Sequence, residues 1–235
     1  KTFTFYRDDY KLPGKVYLPE GGGPFPTVII SSGAGVTYTY SEDYAKEFVK
    51  EGIACVVFNF AMYKEATILT NVKDLYIVID GVLSMSEIDQ NNLFLWGHSY
   101  GGLTTTYVAT QRMEEIKGVI LLEPSYQLNA QAAKMNTEEI IEATGIADVC
   151  LKDLCSFDIF ELIPNYIGPV LVFNGNAASG MQEARDEFMA ELKKGVELFP
   201  SAELITIDGA DHSFSGEAKA PLMAKAVEFV KENMD

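Results

Sequence analysis

The apolar positions of this chain follow two rhythms. Short, nearly unbroken runs of β-branched and aromatic residues recur at 27–30, 53–58, 93–96, 118–122 and 169–173, and an alternating run covers 202–207. The continuous runs predict strands buried on both faces, as in the interior of a parallel sheet. Residues 2–6 and 10–19 carry alternation with turn signals between them and predict an opening hairpin. Between these runs the apolar spacing becomes helical. Residues 41–52 place Tyr44, Phe48 and Val49 on one side, with Ser41 as the expected cap and Gly52 as the stop. Residues 67–85 carry Ile68, Val72, Leu75, Val78 and Ile79, and 103–109, 182–192 and 221–232 are further helical stretches. Strands alternating with helices predict an α/β protein, a mainly parallel sheet with helices on both faces.

Residues 124–165 break this rhythm. They are polar and irregular, with one amphipathic segment at 137–144 and an apolar stretch at 157–163, and they show no strand pattern. The loop 59–63, at the end of the 53–58 run, is a candidate pocket wall. No internal repeat, low-complexity tract or second domain is apparent in the sequence.

The run at 93–96 leads directly into Gly97-His98-Ser99-Tyr100-Gly101-Gly102. Gly-x-Ser-x-Gly between a strand and a helix is the pattern of a nucleophile elbow, a strained turn that lifts the serine hydroxyl clear of the sheet. Side chains two places before and two after the serine would strike the adjoining strand and helix, which explains Gly97 and Gly101. Chance gives about 0.08 such matches at this composition, so the flanking strand and helix carry the reading. A serine hydroxyl also needs a base in hydrogen-bond reach. The chain has two histidines. His98 lies inside the elbow and is expected to point elsewhere, which leaves His212, on the loop after the 202–207 run. The plain alternatives are a glycine-rich loop and a surface histidine. The order, serine first and histidine near the end, weighs against both.

These residues resemble the α/β-hydrolase superfamily and, within it, small bacterial carboxylesterases of the cinnamoyl/feruloyl esterase type. The likeness spans nearly the whole chain. It rests on Ser31-Ser32-Gly33-Ala34-Gly35 after an early strand, the elbow, Gly168-Pro169-Val170-Leu171-Val172, and Gly209-Ala210-Asp211-His212-Ser213-Phe214. The resemblance implies one domain over 1–235, an eight-stranded sheet and a small helical lid inserted at 124–165. Such a lid would cover Ser99 and offer Tyr126, Leu151, Phe157 or Phe160 to an acyl pocket. The resemblance also implies an oxyanion hole from the backbone N–H groups of Ala34 and Tyr100, where one donor is typically worth about 3 kcal/mol. Where the family often has His-Gly this chain has Ser32-Gly33, a change that leaves the backbone donor in place. The implied activity is cleavage of small-molecule carboxylic esters through an acyl-enzyme, with no cofactor; the alternatives are another hydrolase on the same fold, a peptidase or lipase, and a non-catalytic binding protein that kept the fold.

A carboxylate normally stands behind the histidine to fix its tautomer and stabilise the imidazolium. In the family it usually follows the seventh strand, and here the matching position holds Ala178. Three arrangements stay open. Glu123, directly after the 118–122 run, stands where some superfamily members carry the acid, at the carboxyl end of a sheet strand. Asp208 or Asp211 flank the histidine loop, Asp211 badly placed to reach the neighbouring ring. Otherwise Ser99 and His212 form a dyad with only backbone behind it, or are inactive.

Composition narrows the partners. A chain of 235 residues can bury a substantial core, and 48% apolar with 22% charged residues is ordinary for a globular protein. A net charge of −16 repels nucleic acid and anionic membrane surfaces, so neither is expected as a partner. No signal peptide, 18-residue apolar run or lipidation motif is visible, and the expected location is cytoplasmic. Three cysteines, Cys55, Cys150 and Cys155, fit reduced thiols, and no Cys/His cluster has metal-ligand spacing. The oligomeric state leaves no mark on the sequence.

Overall fold

The chain opens with the expected hairpin: β1 (Thr2–Arg7) pairs antiparallel with β2 (Tyr10–Tyr17). The computed structural model describes residues 1–61, 67–132, 153–177 and 182–235. β2 pairs antiparallel with β4 (Ala54–Phe58), and from there every pairing is parallel, through β3 (Phe25–Ser31), β5 (Ile88–His98), β6 (Gly118–Leu122), β7 (Val170–Gly175) and β8 (Ala202–Ile207). The sheet order is β1-β2-β4-β3-β5-β6-β7-β8, so β5, the strand before Ser99, lies near the middle.

The continuous apolar runs are interior strands for a physical reason. Every residue of β4 and β6 is buried, because helices cover both faces of the sheet. One face packs on α1 (Glu42–Lys50) and on the last helix, α7 (Lys219–Asn233), through Tyr44, Phe48, Leu222, Ala226 and Val230. There Trp96 of β5 meets Tyr44 at 5.3 Å and Phe48 edge-on at 5.8 Å between ring centres. Such aromatic pairs contribute about 1 kcal/mol each beyond their buried area. The other face packs on α2 (Ile68–Leu83), α3 (Tyr100–Gln111) and α6 (Gln182–Leu198).

Thr67 caps α2: its hydroxyl accepts from the Thr70 N–H while the Thr70 hydroxyl takes the Thr67 N–H. The expected Ser41 cap differs from this. Ser41 closes a 3₁₀ turn, makes no capping bond to α1, and pairs its buried hydroxyl with Ser32 at 3.1 Å.

The irregular stretch 124–165 holds a helix that the apolar spacing did not announce, α4 (Tyr126–Ala132), and a short one, α5 (Ile159–Leu162). Buried Asn129 joins them. Its Nδ2 donates to the carbonyls of Leu154 and Phe157, and its Oδ1 accepts from the Ile159 N–H. Tyr126, expected in an acyl pocket, is instead fully buried in the core, with its hydroxyl on Thr106 at 2.9 Å. Phe157 packs edge-on against Tyr107 and Phe160 against Tyr126. The expectations for 137–144, Leu151, Cys150, Met62 and Tyr63 fall outside the described residues. Cys55 is buried and Cys155 exposed. Among the described residues no helix is long and apolar enough to cross a membrane, and no group of three His, Cys, Asp or Glu residues could hold a metal ion.

One buried ion pair ties the edge hairpin to the body. Arg7 Nε lies 2.5 Å from Asp74 Oδ1 on α2, and Asp74 Oδ2 accepts from the Ala61 N–H at 2.8 Å. Burial pushes the Asp74 carboxyl up, and the Arg7 guanidinium and the Ala61 N–H draw it only part of the way back. Removing one partner of such a pair strands the other without water. Asp74→Ala should lower stability by about 3 kcal/mol in urea titrations, and the double variant Arg7→Met/Asp74→Leu should lose much less.

Candidate active site

The sequence puts Ser99 between β5 and α3, and the backbone there is strained: Ser99 has φ 55° and ψ −121°. Close packing forces the turn. A Cβ on Gly97 would lie 2.6 Å from the Gly102 Cα, and one on Gly101 would lie 2.4 Å from the carbonyl oxygens of both Ser31 and Ser32. The elbow is therefore wedged against the loop after β3. A Cβ on Gly33 of that loop would sit 3.3 Å from the Ser99 Cβ, which puts the Ser32-Gly33-Ala34 turn beside the serine. Ala34 is exposed in that turn. Tyr100 is the first residue of α3, so its N–H belongs to a helix N-terminus aimed at the Ser99 position.

β6 ends one strand over, and Glu123 follows it directly with φ 40°. Its side chain is 1% exposed. The carboxylate is nonetheless fully engaged. Oε2 lies 2.5 Å from His212 Nδ1, while Oε1 accepts from the Gly175 N–H at 2.9 Å and from Arg185 at 2.7 Å. Burial alone would raise this carboxyl. The hydrogen bonds from His212, Arg185 and Gly175 outweigh burial and hold it at about 2. An ionised carboxylate only accepts, so His212 Nδ1 is the donor in this contact. The His212 side chain is 53% exposed, open to the cleft it lines with Ser99, Glu123, Ser125, Arg185 and Phe188.

His98 turns away from Ser99. Its Nε2–H donates to the His212 carbonyl at 2.7 Å, and the two rings stand 4.9 Å apart. Burial, with repulsion from His212, pushes His98 down to about 4, so it is uncharged at neutral pH. Ser99 Oγ pairs with Ser125 Oγ at 3.3 Å, and the Ser125 N–H donates to the Ser99 carbonyl at 3.1 Å.

Of the three arrangements open for the acid, the structure brings Glu123 to His212 and directs the two aspartates elsewhere. Asp208 accepts from the Asn176 side chain at 2.9 Å, and Asp211 accepts from the backbone and hydroxyl of Ser213. Ala178 lies outside the described residues. Sequence reasoning missed Ser125, Arg185 and Phe188. Ser125 could have been found from its place two residues beyond Glu123. Arg185 stands beside Asp186 and Glu187 on a charged stretch of α6 and carries no signal of its own.

An eight-stranded, mostly parallel sheet with a left-handed serine at the β5–α3 turn is the α/β-hydrolase fold. Comparison with known proteins agrees. Est1E from Butyrivibrio proteoclasticus, solved with ferulic acid bound, superposes with a TM-score of 0.81 at 17% identity, covering 98% of each chain. A family described as serine aminopeptidase, S33, matches residues 63–151, a stretch holding Ser99 and Glu123 but not His212. In sequence the chain is 28% identical over 107 residues to the quorum-quenching protein AidA of Acinetobacter baumannii, covering 42% of this chain and 35% of that protein. It is 28% identical over 129 residues to the esterase EstD of Thermotoga maritima, covering 48% of this chain and 30% of that one. The chain thus aligns with about a third of the length of these curated relatives.

Two outcomes follow from this geometry. Gly101→Ala should cost about 2 kcal/mol in urea titrations, the penalty for forcing a methyl against two fixed carbonyls. The Glu123 carboxyl is lower in the folded chain than its ordinary 4.5. Its contribution is therefore fully present above pH 4.5 and lost as pH falls through about 2. Relative to wild type, Glu123→Gln should lose roughly 3 kcal/mol at pH 7, and the gap should close on acidification across that window.

Proposed function

We propose that this chain is a serine hydrolase that cleaves small-molecule carboxylic esters through an acyl-enzyme, without a cofactor. The observation that carries the reading is the 2.5 Å contact between Glu123 and His212 in the cleft that Ser99 lines. In this reading Ser99 is the nucleophile, His212 the base and Glu123 the acid.

The Ser99 hydroxyl first exchanges its bond to Ser125 for one to His212 Nε2. As the oxygen attacks the ester carbonyl, its proton passes to Nε2 and the ring becomes an imidazolium against the ionised Glu123. Negative charge gathers on the former carbonyl oxygen, where the N–H groups of Ala34 and Tyr100 receive it. The tetrahedral intermediate then collapses. The alcohol leaves with the proton from His212, and Ser99 keeps the acyl group. Water gives its proton to His212 and attacks the acyl-enzyme, and collapse of the second intermediate frees the carboxylic acid and restores Ser99. The 124–165 insertion serves as a lid over this cleft, and the protein works in the cytoplasm. The esterase name of EstD and the ferulic acid bound to Est1E support an ester as the substrate class.

Hydrolysis of p-nitrophenyl acetate and butyrate tests the reading. Ser99→Ala should abolish turnover, and Glu123→Gln should reduce kcat by about 10⁴-fold by loosening control of the imidazole tautomer. Full activity in Ser99→Ala would overturn the serine mechanism, and an unchanged rate in Glu123→Gln would remove the acid from it. Faster release from an aminoacyl p-nitroanilide than from the esters would instead favour a peptidase, as the serine aminopeptidase match would suggest.

A further inference from the structure

The Glu123 carboxylate has two oxygens with different duties. Oε2 faces His212, and Oε1 is held from behind by the Gly175 N–H and by Arg185. The same guanidinium nitrogen of Arg185 also donates to the Gly175 carbonyl, and the group lies over the Phe188 ring with its carbon 5.0 Å from the ring centre. Arg185 is thus fixed on three sides at the start of α6, within the cleft that Ser99 and His212 line.

We propose that Arg185 is a positioning residue for the Ser99–His212–Glu123 site and sets the pH range over which the serine is activated. The inference rests on the serine-hydrolase reading above. Geometry supplies the first half. With Oε1 pinned twice, the carboxylate has one orientation, and Oε2 alone is presented to the ring. Charge supplies the second half. A cation 2.7 Å from Oε1 draws off part of the negative charge that would otherwise favour an imidazolium at His212. Arg185 therefore trades strength of attraction between Glu123 and the ring for a fixed orientation of the carboxylate.

The other charged and titratable groups around the ring do not duplicate this. His98, from the end of β5, is neutral and meets the His212 carbonyl. On the loop after β8, Asp211 is committed to Ser213 and Asp208 to Asn176. Tyr44 of α1 approaches the carbonyls of Ser213 and Phe214, and Tyr40 the carbonyl of Ser213. Among the described residues, Arg185 is the one cation bonded to the acid.

The test is the rate at which a fluorophosphonate labels Ser99 in the full chain, measured from pH 4 to 9 in wild type, Arg185→Gln and Arg185→Lys. Labelling reads the nucleophile without requiring knowledge of the substrate. In Arg185→Gln the midpoint of the acid limb should move up by about one pH unit, because the cation opposing the imidazolium is gone. Arg185→Lys, which keeps the charge but replaces the planar guanidinium, should hold the midpoint near wild type. A slower Arg185→Gln with an unmoved midpoint would mean a merely structural arginine and would overturn the proposal. So would a shift of equal size in Arg185→Lys, since charge would then not be the cause. If Arg185→Gln does not fold by near-ultraviolet circular dichroism, Arg185→Met takes its place with the same expected shift, and failure of both neutral variants to fold would overturn the proposal in favour of a structural role. A wild-type chain that never labels would overturn the serine-hydrolase reading itself, a different result from labelling whose pH profile ignores Arg185.

Discussion

A carboxylate taken out of water must be matched by donors, or it protonates or unfolds its surroundings. Glu123 is that carboxylate, and the architecture around the cleft is arranged to satisfy it. The donors come from three separate places in the chain: the end of β7, the start of α6 and the loop after β8. Each must arrive within an ångström or so of its mark. The sheet makes this possible, because β6, β7 and β8 are consecutive parallel neighbours and deliver their carboxyl ends side by side.

Backbone strain gathers at the same edge. Ser99, Glu123 and Phe214, each at or close to the cleft, have φ of 55°, 40° and 50°. Left-handed conformations at non-glycine residues persist only where the surroundings over-determine them. Here the determinants are visible. Gly101 rests on the Ser31 and Ser32 carbonyls, the Glu123 N–H is bonded to the Phe173 carbonyl, and Phe214 is fully buried against the face covered by α7. The strain is borne by the sheet, so the loops that carry the functional side chains have little freedom to relax.

Much of this was legible in the sequence, for reasons that are physical. Interior strands of a parallel sheet must be apolar on both faces, so β3, β4, β6 and β7 announce themselves as runs. An elbow must have glycine where backbones touch, so Gly97 and Gly101 marked Ser99. With two histidines in the chain, elimination pointed to His212. What stayed hidden depends on where a side chain turns once the fold has formed. Ser41 looked like a cap and is bonded across to Ser32, because the chain enters α1 through a 3₁₀ turn that leaves its hydroxyl facing inward. Tyr126 looked like a pocket aromatic and lies beneath the site, since Thr106 of α3 offers its hydroxyl a buried partner. Arg185 was invisible because a charged residue on a charged helix reads as solvated, and only the packing of α6 against α4 and β8 lets its side chain reach Glu123.

The contact between Glu123 and His212 joins residues 89 apart in the sequence. His212 follows β8, the last strand to be made and the one at the far edge of the sheet. The part of the chain before β8 holds Ser99 and Glu123 but not the imidazole that Glu123 Oε2 faces. The early-made carboxylate thus depends on a late-made partner, and a product that stopped before β8 would leave Glu123 with one donor fewer.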